Sequence, residues 1–104
     1  MALAGSLPTP HAFEPAVHSI AVSGTPAKLS ATSTAATWAR FTVQNPHASE
    51  SIWIGPSDVS NTGATLGLEI LPRSSRDVEA SDASLWYAVS DGTAVTAVVL
   101  GSVV

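Results

Sequence analysis

The sequence predicts an all-β protein: a single small β-sandwich or jelly-roll-like domain of about seven or eight short antiparallel strands, with an extended N-terminal arm. Three observations predict it. Short segments alternate apolar and polar residues with period two, most clearly over residues 37–45. Turn formers separate these segments at intervals of roughly eight to twelve residues, among them Gly24-Thr25-Pro26, Asn45-Pro46, Gly55-Pro56 and Asp91-Gly92. No heptad, internal repeat or helical period longer than a turn interrupts the pattern, and the 104 residues suit one domain.

Residues 1–16 carry Pro8, Pro10 and Pro15 around a single large aromatic, Phe13. Proline at that spacing forbids a helix and favours an extended path, so this stretch reads as the arm and residues 17–104 as the sandwich. The first strand holds Val17, Ile20 and Val22, and a weak second strand centres on Leu29. In the third, Ala39, Phe41 and Val43 are expected on one face, with Trp38, Arg40, Thr42 and Gln44 on the other. Ile52 and Ile54 then point inward and Trp53 outward. Residues 57–67 are rich in turn formers, with room for a short helical turn near Ser57–Ser60, and residues 68–71 form a brief apolar run ended by Pro72. Val78 and Ala80 oppose Asp77 and Glu79 on the next strand. Leu85, Tyr87 and Val89 are expected inside, opposite Trp86 and Ala88. Asp91-Gly92 signals a hairpin into residues 93–100, which are apolar on both faces and therefore suit a central strand.

The composition narrows function. Four basic residues stand against eight acidic ones, for a net charge of −4, which disfavours nucleic acid as a partner. No apolar run reaches the length of a membrane span, and the first residues lack the basic and apolar regions of a secretory signal. With no cysteine there is no disulfide, thiolate metal site or thiol nucleophile. Charged residues make up only 12% of the chain, about half the usual share, which suits either a protein packed against neighbours or a composition bias of the source genome.

Catalytic chemistry finds little footing. The serines form no nucleophile elbow, and nothing holds His11, His18 or His47 beside a carboxylate. Asp77 and Glu79 share one strand face, as on the wet side of an edge strand, rather than facing each other across a cleft. Asp58, Asn61 and Asp91 lack calcium-loop spacing and read as turn formers. The expectation is no catalytic, metal or cofactor residues. The informative side chains are Trp38, Trp53 and Trp86, which alternation places opposite the aliphatic faces of their strands. Three outward tryptophans suggest a protein contact surface or a platform for sugar rings, unless one strand's facing is inverted or the arm covers them. With the arm residues Pro8, Pro10, Phe13 and Pro15 and the apolar C-terminal Val103 and Val104, they make up the candidate interface.

The run Ala39-Arg40-Phe41-Thr42-Val43-Gln44-Asn45-Pro46, then Ser51-Ile52-Trp53-Ile54-Gly55, residues 66–72, Leu85-Trp86-Tyr87-Ala88-Val89 and the Asp91-Gly92 turn together resemble small β-sandwich virion proteins of tailed bacteriophages. In those proteins a Val-x-Asn strand leads to a Trp/Tyr-Ile-Gly strand, followed by a loop, a turn and a Leu-Tyr-Ala hairpin. The likeness covers about residues 20–100 and lies in strand and turn pattern. It departs at Pro72-Arg73, where Gly is usual. The resemblance implies a non-enzymatic virion structural protein, foremost a capsid decoration or cement protein on the capsid surface. Such a subunit would be a homo-oligomer, with a trimer favoured, bound to the major capsid protein or other virion proteins. The alternative it leaves is a tail, baseplate or fibre component acting as a carbohydrate-binding module on a host glycan.

Overall fold

In the computed structural model, residues 16–34, 38–79 and 82–103 are described. They form an all-β domain of two antiparallel sheets, as the sequence predicts. The eight strands are β1 (Ala16–Val22), β2 (Ala27–Lys28), β3 (Trp38–Asn45), β4 (Ile52–Gly55), β5 (Leu68–Ile70), β6 (Ser74–Glu79), β7 (Tyr87–Val89) and β8 (Val95–Val103). Sheet I has the order β1-β8-β3-β6 and sheet II the order β2-β7-β4-β5. Short 3-10 turns at Gly63–Thr65 and Ala83–Leu85 interrupt the loops, and the turn expected near Ser57–Ser60 closes with the Val59 N–H donating to the Pro56 carbonyl.

The two inner faces meet in one apolar core. Sheet I contributes Val22, Phe41, Val43, Val78, Val95, Ala97 and Val99, and sheet II contributes Ile52, Ile54, Ile70 and Ala88. Each large side chain taken from water here stabilises the fold by roughly 1.5–3 kcal/mol. The strand that is apolar on both faces, β8, is central in sheet I, between β1 and β3. Its outer residues Val98 and Leu100 are half-buried between neighbours on both sides.

The hairpin expected at Asp91-Gly92 is an arch instead. β7 pairs with β2 and β4 in sheet II, whereas β8 pairs with β1 and β3 in sheet I. The turn chemistry is present: Gly92 has φ +117, the Thr93 N–H donates to Asp91 Oδ1, and the Ser90 hydroxyl donates to the Thr93 carbonyl. However, the Ser90 N–H donates to the Ser23 carbonyl, which docks the turn on the loop after β1. An Asp-Gly pair dictates a reversal of the chain; it does not dictate that the flanking strands pair with each other.

Two polar side chains hold the loops. Asn45, buried at the end of β3, donates through Nδ2 to the carbonyls of Glu50 (2.7 Å) and Ile70 (3.0 Å), and its Oδ1 accepts from the His47 N–H. Ile70 lies in sheet II, so this amide ties the two sheets together at one end of the sandwich. His47 continues the same loop, its Nδ1 accepting from the N–H groups of Ser49 and Glu50. Asp82 performs the other task. Its carboxylate accepts from the Ser33 hydroxyl and from the N–H groups of Thr34 and Ser84, joining the β2–β3 loop to the 3-10 turn before β7. The Thr34 hydroxyl accepts from the Ala83 N–H in return.

Asn45→Ala leaves the Ile70 carbonyl without its partner in a buried site, and the Glu50 carbonyl and His47 N–H without theirs in part-buried ones. At about 1–3 kcal/mol for a buried group left unpaired, urea unfolding should show a loss of roughly 1–3 kcal/mol. A loss below about 1 kcal/mol would mean that the amide is not the tie between the sheets. Asp82 gives a pH-dependent counterpart. The Ser33 hydroxyl first, then the Thr34 and Ser84 N–H groups, hold its carboxyl well below its ordinary value of 3.8. A carboxyl lowered by folding stabilises the native state above that value and loses the contribution as pH falls below it. Asp82→Ala should therefore lower Tm at pH 7, and its gap from the parent should narrow from pH 4 downward. A gap that stays constant to pH 2 would contradict this account.

Candidate functional site

The three tryptophans do not share an outer face. Trp38 is 6% exposed and belongs to the core. The reason is a β-bulge: the register of β3 against β8 shifts between Trp38 and Arg40, so the alternation that holds from Arg40 onward does not extend back to Trp38. Arg40 and Gln44 are exposed as alternation requires, and Phe41 and Val43 are buried. The indole turned inward lies over Gly101, which pairs with Phe41. A β-carbon at Gly101 would stand 1.9 Å from that ring, so only glycine permits the packing. His18 packs on the indole at 5.3 Å, Phe41 lies 6.3 Å from it, and Trp86 meets Phe41 edge-on at 6.4 Å. An aromatic chain thus runs through the core where an outward face was expected.

Trp86 departs for a different reason. It follows the 3-10 turn at Ala83–Leu85, which resets the facing of the segment. Leu85, expected inside, is 68% exposed, while Trp86 packs against the core and Ala88 is buried between Ala27 and Ile54. Val89 is buried, but on the outer side, opposite Trp53. Trp53 alone sits as expected, half-buried on the outer face of sheet II between Val89 and Glu69. Of the other candidate interface residues, Pro8, Pro10, Phe13, Pro15 and Val104 lie outside the described residues. Val103 pairs with Trp38 at the end of β8.

Two surface features at β5 and just beyond it went unforeseen. Leu66 (57% exposed), Leu68 (47%) and Leu71 (57%) crowd the edge strand β5 and its flanks. Their signal was legible: a run of apolar residues too short for both parities to face a core, hemmed by Gly67 and Pro72. Gly67 itself is held against the Ile54 carbonyl, 2.6 Å from where a β-carbon would lie. The second feature is the turn from sheet II to sheet I. The Ser74 N–H donates to the Leu71 carbonyl, Pro72 occupies the second position, and Arg73 has φ +59, the combination of a type II turn. Glycine fits that third position, and arginine there costs roughly 1 kcal/mol. The positive φ falls on Arg73 of the Pro72-Arg73 pair. Beside it a cavity of about 280 Å³ opens, lined by Gln44, Asn45, Pro46, Arg73, Ser74 and Ser75.

Asp77 accepts from the Thr42 hydroxyl, and Glu79 stands 4.0 Å from Arg40, both on the exposed face of edge strand β6. Such an exposed pair adds little stability. Asp91 is held below the ordinary carboxyl value by the Thr93 N–H first and then its hydroxyl, and the Glu50 side chain lies within hydrogen-bond reach of it. Among the described residues, no three His, Asp or Glu side chains converge to hold a metal ion.

The tryptophan environments are directly measurable. Acrylamide should quench the half-buried Trp53 and Trp86 and leave Trp38 nearly untouched, so Trp53→Phe should remove part of the quenchable component and Trp38→Phe almost none. If Trp38→Phe removes it instead, the bulge assignment is wrong. No protein-family model, no characterised protein and no solved structure matches this chain.

Proposed function

We propose that this chain is a non-enzymatic structural protein of a bacteriophage virion, a capsid decoration or cement subunit that acts by binding neighbours. The observation that carries the reading is the edge of sheet II, where Leu66, Leu68 and Leu71 are exposed along a strand bearing one charge, Glu69. Edge strands of free monomers are usually protected by charge, proline or a cover. The opposite sheet shows that protection, because edge strand β6 carries Arg76, Asp77 and Glu79. Exposed apolar side chains along an edge strand suit a subunit covered in an assembly.

Two further features support it. The two-sheet sandwich, with strand orders β1-β8-β3-β6 and β2-β7-β4-β5, supports a jelly-roll reading, an architecture that serves virion proteins and lectins alike. The residues that carry the phage resemblance also have structural work here. Asn45 ties the sheets, and Gly55 lets Val59 approach to 3.0 Å of where a β-carbon would lie. On this reading the contact surface is the Trp53 and β5 corner together with the arm of residues 1–16, and the closed state is a homo-oligomer, with a trimer favoured.

Light scattering on the full chain at micromolar concentration should give a discrete small oligomer. Leu68→Lys should reduce it to monomer with Tm changed by no more than the loss of subunit contacts explains. Deleting residues 1–16 should leave a folded domain that no longer binds capsid shells. A monomer at every concentration that also fails to bind shells would overturn the proposal.

A further inference from the structure

The cavity between β3 and β6 has a property the assembly reading does not use. Three of its side chains carry polar groups with no hydrogen-bond or ion-pair partner among the described residues: the Gln44 amide, the Arg73 guanidinium and the Ser75 hydroxyl. Asn45 is different, because its amide is spent on Glu50, Ile70 and His47. It therefore serves as a rigid wall, and the Pro46 ring adds an apolar surface beside it. The wall is rigid because the same hydrogen bonds close the sandwich. Arg73 reaches this position only through the left-handed backbone at φ +59, a conformation that glycine would adopt without penalty. The other two guanidiniums have partners: Arg40 lies near Glu79, and the Arg76 Nε donates to the Glu69 carbonyl. No acidic residue lines the cavity.

We propose that this cavity binds an acidic saccharide, with the Arg73 guanidinium holding the carboxylate and the Gln44 amide and Ser75 hydroxyl holding ring hydroxyls. A guanidinium presents two parallel N–H donors that match one carboxylate. A neutral amide and a hydroxyl, each able to donate and accept, match a polyol. The Pro46 ring offers the apolar contact that the C–H face of a sugar needs. The volume of about 280 Å³ lies at the small end for ligand sites and suits a single sugar unit. One free guanidinium on a chain of net charge −4 favours a ligand with one negative charge over a polyanion. The site uses none of the β5-edge leucines, although Arg73 shares one turn with Leu71.

The test is titration of the full-length protein with glucuronate, glucose and acetate, read by backbone amide NMR. Glucuronate should shift residues 44–46 and 73–75 with Kd on the order of 1 mM, and glucose and acetate should each bind at least about tenfold more weakly. Arg73→Gly is the decisive variant, since it removes the guanidinium and relieves the backbone. It should lose glucuronate binding about tenfold or more while Tm rises by about 4 °C. Gln44→Ala, exposed and away from the core, should weaken glucuronate several-fold at unchanged Tm. Unchanged glucuronate affinity in Arg73→Gly overturns the proposal, as does acetate binding as tightly as glucuronate. Absence of shifts at about 50 mM glucuronate, fifty times the expected Kd, overturns it as well.

Discussion

The buried amide of Asn45 is the interaction on which the arrangement of this domain turns. A sandwich of two short sheets is held by contact between apolar faces, which resists separation but leaves sliding and rotation weakly opposed. A directional tie at one end removes that freedom. Asn45 supplies it by donating from sheet I to the Ile70 carbonyl of sheet II and to Glu50 at the entry to β4. An unpaired group in that dry site would be costly, so only one relative placement of the strands satisfies all three of its bonds. The crossing from β5 to β6 starts at the residue it holds, Ile70, and places Pro72-Arg73 beside the end of β3.

At the far end of β3 the equivalent constraint is steric. The bulge between Trp38 and Arg40 swings the indole inward, and Gly101 gives it room. A core made largely of Val, Ile and Ala fills its volume with few large side chains. Trp38, Phe41 and Trp86 supply much of the bulk, in tilted and edge-on contacts that suit aromatic quadrupoles. Drawing two tryptophans into the core also changes the surface. The exposed large apolar side chains then lie on edge strands, turns and loops, at Val17, Leu66, Leu68, Leu71 and Leu85, a distribution that favours recognition of a neighbour over stacking on a flat platform.

The two proposed activities draw on opposite qualities of the chain. Assembly uses apolar residues left uncovered at Leu66, Leu68 and Leu71, whose cost in isolation is relieved by mass action when subunits meet. The saccharide site uses a charged residue kept in a backbone conformation that glycine would take more readily. Local strain of this kind persists only where the surroundings over-determine it, and Asn45 with its loop provides that rigidity next door.

The sequence by itself determined the fold class, a pattern of seven or eight short strands, the central place of β8 and the wet edge at β6. These follow from alternation and turn chemistry, which are local properties of successive residues. It also placed Ile52, Trp53 and Ile54 correctly, because no irregularity interrupts β4. Tertiary structure decided the rest. A bulge at Ala39 and a 3-10 turn before Trp86 each break the period of two, and a single such break reverses every facing inferred across it. Which strands pair across Asp91-Gly92 depended on the docking of Ser90 on Ser23, a contact between residues far apart in sequence. Arg73 became a candidate binding residue only once the strands brought it beside Gln44. Periodicity records which residues can face a core; contacts between distant segments decide which core they face and what is left at the surface.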